Sequence, residues 1–135
     1  MLVKILTSIG SIASIIFGIW HFFAPQIWDW YSYIYKTATE LIVAVRAINI
    51  FFSLSLLLLG VANLLFVFRI IQDQFSLGVM LGISTILWSM RVVLQIIYPQ
   101  GSQNPTVQYS MLAIFILVAL CYGTSLVVVF NESYN

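Results

Sequence analysis

Read for polarity, the chain is four long apolar runs set apart by short polar breaks. The runs cover roughly Val3–Ala24, Leu41–Phe68, Phe75–Tyr98 and Val107–Phe130. A helix climbs about 1.5 Å per residue, so about 20 apolar residues cross the ~30 Å hydrocarbon of a bilayer. Every run meets that length, and none shows the polar–apolar alternation of a membrane barrel strand. The pattern predicts an all-α chain. It reads as a four-transmembrane-helix bundle forming a single domain over residues 1–135, with a short aromatic interfacial segment between the first two helices.

Polar residues inside the runs recur at helical spacing. In the first, Thr7, Ser11, Ser14, Gly18 and His21 share one face. Arg46, Asn49, Ser53, Gly60 and Asn63 do so in the second, and Ser84, Trp88, Arg91 and Gln95 in the third. Small and hydroxyl-bearing stripes in lipid mark the side turned to other helices. The pair Gly78 and Gly82 is a further small-residue contact of this type, whereas the fourth run offers only Cys121, Thr124 and Ser125. Arg46 enters its run by about 8 Å. A guanidinium there costs at least ~2.5 kcal/mol, and with Asn49 and Ser53 on its side it is expected to face the bundle.

The breaks carry their own signals. After Pro25 come Trp28, Trp30, Tyr31, Tyr33 and Tyr35, aromatics of the kind that settle at headgroup level, with Asp29 among them. Trp28, Tyr31 and Tyr35 fall on one side of a helix, which predicts a short interfacial helix acting as anchor or lid. Pro99, Gly101, Asn104 and Pro105 are turn chemistry. The first run ends in bulky Trp20–Pro25 where a cleaved leader needs small residues, so it is expected to be a retained span, with nothing left for a soluble domain.

Composition supports the same solvent. The chain is 62% hydrophobic and 7% charged, against about 25% charged in soluble domains. A net charge of +1 gives no case for nucleic acid, and the single Cys121 excludes an intramolecular disulfide. Most charges sit at run ends; only Arg46 and Arg91 lie within. Lys4 and Arg69 on one side, against Lys36 on the other, predict cytoplasmic N- and C-termini in the cell (inner) membrane.

In alternating helices His21, Arg46 and Arg91 come to similar depth in the non-cytoplasmic half, with Glu40 and Asp29 at the mouth. Two outcomes follow. The acids neutralise the arginines in a structural network, or His21, Arg46, Arg91, Glu40, Asn49, Gln95 and Trp88 form a ligand site. Arginine's planar fork suits phosphate, carboxylate or a quinone carbonyl. The expected occupant is therefore a membrane lipid, a quinone or a partner subunit of a larger membrane complex, with the protein an accessory rather than an enzyme. An alternative is a homo-oligomeric anion channel or carrier lined by Ser11, Ser14, His21, Asn49, Ser53 and Asn63. A lipid-modifying enzyme using His21 as base is the third reading. One His and one Cys cannot build a three- or four-ligand transition-metal site. Nor is there a mid-membrane carboxylate for a proton-coupled exporter, or a legible Ser–His–acid triad.

The run His21-Phe22-Phe23-Ala24-Pro25 resembles the His-Phe-x-x-Pro that closes the first helix in DoxX-like membrane proteins. Glu40, followed by Arg46-Ala47, is similar to the Glu…Arg-Ala opening of the second helix in related families. That resemblance implies a compact four-helix bundle, in some members a subunit of a quinone-linked membrane oxidoreductase.

Overall fold

A computed structural model of the chain describes residues 1–68, 73–101 and 103–133. Arg69, one of the charges behind the expected orientation, lies outside the described residues, as do 70–72, Ser102 and the tail end at Asn135. The elements are α1 (Leu2–Ile27), a 3-10 turn (Trp30–Tyr33), α2 (Thr39–Val67), α3 (Gln74–Ile97) and α4 (Pro105–Ser133). All four helices are long and apolar enough to cross a membrane. The protein is thus an all-α, four-helix integral membrane bundle, as the run pattern predicts.

Burial differs from that of a soluble domain: small polar residues share the interior with the apolar core, and large apolar ones cover the outside. Ile48, Phe51 and Ile86 are 68–74% exposed, whereas Thr7, Ser11, Ser14, Ser53, Asn63, Ser84 and Ser125 are fully buried. Lipid tails are as apolar as leucine, so hiding leucine from them gains nothing; close backbone approach and interhelical hydrogen bonds gain something. The approach is closest between α1 and α2. A Cβ on Gly18 would stand 2.8 Å from the Ser53 carbonyl oxygen, and one on Gly60 2.8 Å from that of Ser11. The Gly78–Gly82 pair does not serve this purpose: a Cβ on Gly82 meets nothing within 4 Å.

Ser14 is the polar hub of the interior. Its hydroxyl donates to the Gly10 carbonyl (2.8 Å) and accepts from the Trp88 indole N–H of α3 (3.0 Å). The Tyr122 hydroxyl of α4 stands 3.1 Å from Ser14 Oγ and 3.4 Å from Ser11 Oγ. Three helices are joined at one oxygen. Helix α4, expected to be nearly featureless, contributes Tyr122 with no exposed surface.

The connector corrects the expected interfacial helix. Asp29 adopts φ 46°, ψ 45°, a left-handed conformation that Asp tolerates better than most residues and that stops α1 from continuing. Its carbonyl accepts from the Ser32 backbone N–H and from the Ser32 hydroxyl (2.8 Å), winding one short 3-10 turn instead. Tyr33 and Tyr35 are exposed, and Tyr31 is half-buried.

Helix α3 starts on Asp73, whose carboxylate accepts from the backbone N–H groups of Phe75 and Ser76 and from the Ser76 hydroxyl. These bonds, the Ser76 hydroxyl first, hold the Asp73 carboxyl below the usual carboxylate range. A folded pKa below the unfolded one contributes stability that is present above the unfolded value and lost as pH falls through the folded one. Asp73→Ala should therefore lower the melting temperature modestly at neutral pH and flatten the acid-side decline. Melting curves in detergent across acid to neutral pH check both effects.

Candidate functional site

His21 lies in the penultimate turn of α1, and a proline decides its surroundings. Pro25 has no N–H for the carbonyl four residues back, which is that of His21. Asn49 of α2 supplies the missing donor, its Nδ2 lying 3.1 Å from the His21 oxygen. The helix therefore continues past Pro25 to Ile27, and the expected end at Ala24 moves outward by three residues. Asn49 is held in turn by position: the Ser53 hydroxyl donates to its carbonyl (2.7 Å).

The His21 ring is enclosed by aromatic rings. Phe52 is nearest at 4.8 Å between centroids, with Phe17 at 5.6 Å, Trp30 at 5.9 Å and Trp20 at 6.2 Å. His21 Nδ1 and Asn49 Oδ1 are both buried. A cleft of about 350 Å³ opens beside the ring toward the connector, lined by Trp20, Trp28, Trp30 and Tyr33 together with Gln100, Gly101, Gln103 and Asn104. Almost every wall of this cleft is aromatic or amide.

Arg91 lies on the other side of the same ring system. Its guanidinium sits 4.4 Å from the Phe115 ring centroid, a cation–π contact, and donates to Gln100 Oε1. Gln95, 2% exposed, fixes that loop: its Nε2 donates to the Gln100 carbonyl (2.9 Å) and its Oε1 faces the Gln100 N–H at 3.4 Å. A second void, an apolar groove of about 210 Å³, runs between α2 and α3. Phe17, Phe52, Leu87, Trp88, Arg91 and Leu94 are among the residues that line it.

Two side-chain contacts link the residues that line the cleft to those that line the groove. The His21 ring borders the cleft and packs on Phe17 and Phe52, which line the groove. Arg91 borders the groove and bonds Gln100, which lines the cleft.

Of the seven residues expected to make the site, the structure brings His21, Asn49, Arg91, Gln95 and Trp88 to this junction. Asn49 and Gln95 hold backbone there, and Trp88 holds Ser14. Arg46 and Glu40 are elsewhere. The expectation that Arg46 faces the bundle is corrected: it is exposed, and its guanidinium lies 5.6 Å from the Tyr31 ring centroid. The inward face of α2 is set by Val45, Asn49, Phe52, Ser53 and Leu56, and Arg46 lies to one side of it, where its long side chain reaches the interface and avoids desolvation. Glu40 is exposed in the first turn of α2, at the positive end of the helix dipole. Among the described residues neither acid at the mouth forms an ion pair with Arg46 or Arg91. Neutral partners, a phenyl ring and a glutamine, receive Arg91 instead.

Phe17, Phe52, Phe115 and Gln100 belong to the site and carry no sequence signal in a chain with ten phenylalanines. No protein-family model, curated protein or solved structure matches this chain.

Proposed function

We propose that the protein binds a membrane amphiphile, a lipid or a quinone, with its polar head in the cleft beside His21 and Arg91 and its tail in the groove between α2 and α3. One observation carries this reading: the linings of an aromatic, amide-rich cleft and of an apolar groove touch through His21 on Phe17 and Phe52 and through Arg91 on Gln100. Arg91 donates to a neutral acceptor, which an incoming phosphate, carboxylate or carbonyl oxygen can replace at a gain, because a hydrogen bond between charged groups is roughly twice as strong. The groove's position on the lipid-facing side lets the ligand enter from the bilayer without crossing water.

The same reading assigns the connector end to the non-cytoplasmic face, with Lys4 and both chain termini on the cytoplasmic side of the cell membrane. It treats the protein as a holder of the amphiphile, delivering it to or keeping it beside a partner subunit. The hydroxyls that an anion path would use, those of Ser11, Ser14 and Ser53, instead bond other groups in the interior. No observation favours that second reading.

The test is native mass spectrometry from mild detergent, with identification of what unfolding releases. Wild-type protein should carry about one amphiphile per chain. Arg91→Leu should lower retention roughly tenfold or more, the loss expected from one charge-assisted hydrogen bond, while melting cooperatively. Arg46→Leu should retain the ligand as wild type does. Equal retention by wild type and Arg91→Leu would sink the proposal.

A further inference from the structure

Below the Ser14 hub, toward the chain termini, lies a polar layer that no step above uses. Serine and threonine inside a helix ordinarily return their hydroxyl to the carbonyl four residues back. Ser14, Ser53, Ser55, Ser84 and Thr85 all do so, at 2.7–2.8 Å. Thr7 and Ser125 do not. Both are fully buried, and neither hydroxyl has a partner among the described residues. Asn63, also fully buried, spends its Nδ2 on the Leu59 carbonyl (2.9 Å) and Ser84 Oγ (2.8 Å), while its Oδ1 accepts nothing.

Helix register brings these groups to one depth. Gly10 of α1 faces the Tyr122 ring of α4, at 3.1 Å from a Cβ placed there. The two helices run antiparallel, so three residues from each contact toward the termini stand Thr7 and Ser125. Gly60 of α2 faces Ser11 of α1, and three residues further on stands Asn63, bonded to Ser84 of α3. Thr7, Asn63, Ser84 and Ser125 thus lie within about one helical turn of each other in depth, ~5.4 Å, and come from all four helices.

We infer that this layer is a binding site for an internal water molecule, held by Thr7 Oγ1, Asn63 Oδ1 and Ser125 Oγ. Asn63 Oδ1 is an acceptor only, and each hydroxyl both donates and accepts. A water gives one proton to Asn63, gives the other to one hydroxyl and accepts from the second. That satisfies three buried polar atoms at once, the usual work of a buried water with about three hydrogen bonds. A metal ion suits the layer poorly, since its oxygens are neutral and no carboxylate stands at this depth to offset a charge.

The sign of one substitution separates this from bare orphaned hydroxyls. Thr7→Val keeps the shape and removes the hydroxyl. If the hydroxyl holds water, the folding equilibrium constant, measured by unfolding in mixed detergent, should fall about five- to tenfold. Thr7→Ser should remain near wild type, and Ser125→Ala should cost less in the Thr7→Val background than alone, because both lean on one water. A Thr7→Val protein as stable as wild type, or more so, overturns the inference, since an isosteric methyl in place of an unpaired hydroxyl removes only a penalty. Density for a water within hydrogen-bond distance of all three oxygens in a high-resolution structure supports it independently of folding, and its absence overturns it. Stability that rises with sodium but not with an organic cation chloride would replace the water by a cation.

Discussion

Gly60→Leu should abolish the native bundle, and Gly60→Ala should destabilise it by about 1–3 kcal/mol, the usual range for overpacking. The reason is what a side chain there would strike. A Cβ on Gly60 falls 2.7 Å from Ile15 Cγ1 and 2.8 Å from the Ser11 carbonyl oxygen. The isoleucine can turn aside; the backbone of α1 cannot. Gly18 poses the same obstacle from the other helix, 2.8 Å from the Ser53 carbonyl and 3.0 Å from the Leu57 nitrogen. Any side chain at either position must push α1 and α2 apart along their length, which also pulls Asn49 from the His21 carbonyl. Gly82→Ala is the internal control. With nothing within 4 Å of its Cβ, it should be neutral, or slightly stabilising through helix propensity. Unfolding in mixed detergent should rank the variants Gly82→Ala, Gly60→Ala, Gly60→Leu in falling stability. Equal stability of Gly60→Ala and Gly82→Ala would mean that α1 and α2 do not approach so closely.

That contrast shows where the sequence is legible. Run length places all four helices, because crossing hydrocarbon is a requirement on length and polarity alone. Helical spacing also places the buried stripe Thr7, Ser11, Ser14, Gly18 and His21, every member of which is buried. The spacing cannot say which of several glycine positions meets a neighbour. Gly78 and Gly82 have the familiar small-residue interval, but the contacts fall at Gly10, Gly18 and Gly60. Phase is the second limit. Arg46 sits three residues before buried Asn49 and shares its stripe on a helical wheel, yet near the helix end a 60° offset and a long side chain suffice to carry it over Tyr31 and out to the interface. Pro25 is a third limit. Taken as the end of a helix, it lies inside α1, because Asn49 repairs the hydrogen bond that it removes. A partner on another helix is invisible to local rules. Tyr122 was within reach: a phenol in the middle of an apolar run needs a hydrogen-bond partner, and the hydroxyl-rich face of the first helix was the available one.

Trp88→Ala should be the most damaging side-chain truncation, at about 2–4 kcal/mol, and Trp88→Phe should cost about 1 kcal/mol or less. Trp88 is 2% exposed, its indole N–H donates to Ser14, and its ring lies 5.8 Å from Phe17 and 5.7 Å from Phe115 between centroids. In water, truncating such a ring loses both the transfer of apolar area and the packing around it. Here the first loss is absent, since the unfolded side chain stays among lipid tails, so the packing contacts and the bond to Ser14 carry the whole cost. Phenylalanine keeps most of the contacts and gives up the bond. Alanine gives up both and enlarges the groove, which this ring helps to line. Two readouts therefore separate the two contributions. Stability should fall much further in Trp88→Ala than in Trp88→Phe. Amphiphile retention should survive in Trp88→Phe and weaken in Trp88→Ala, because a tail in a widened groove loses the wall that it packs against. If both variants lost stability equally, the hydrogen bond to Ser14 rather than the packing of the ring would be what ties α3 to α1.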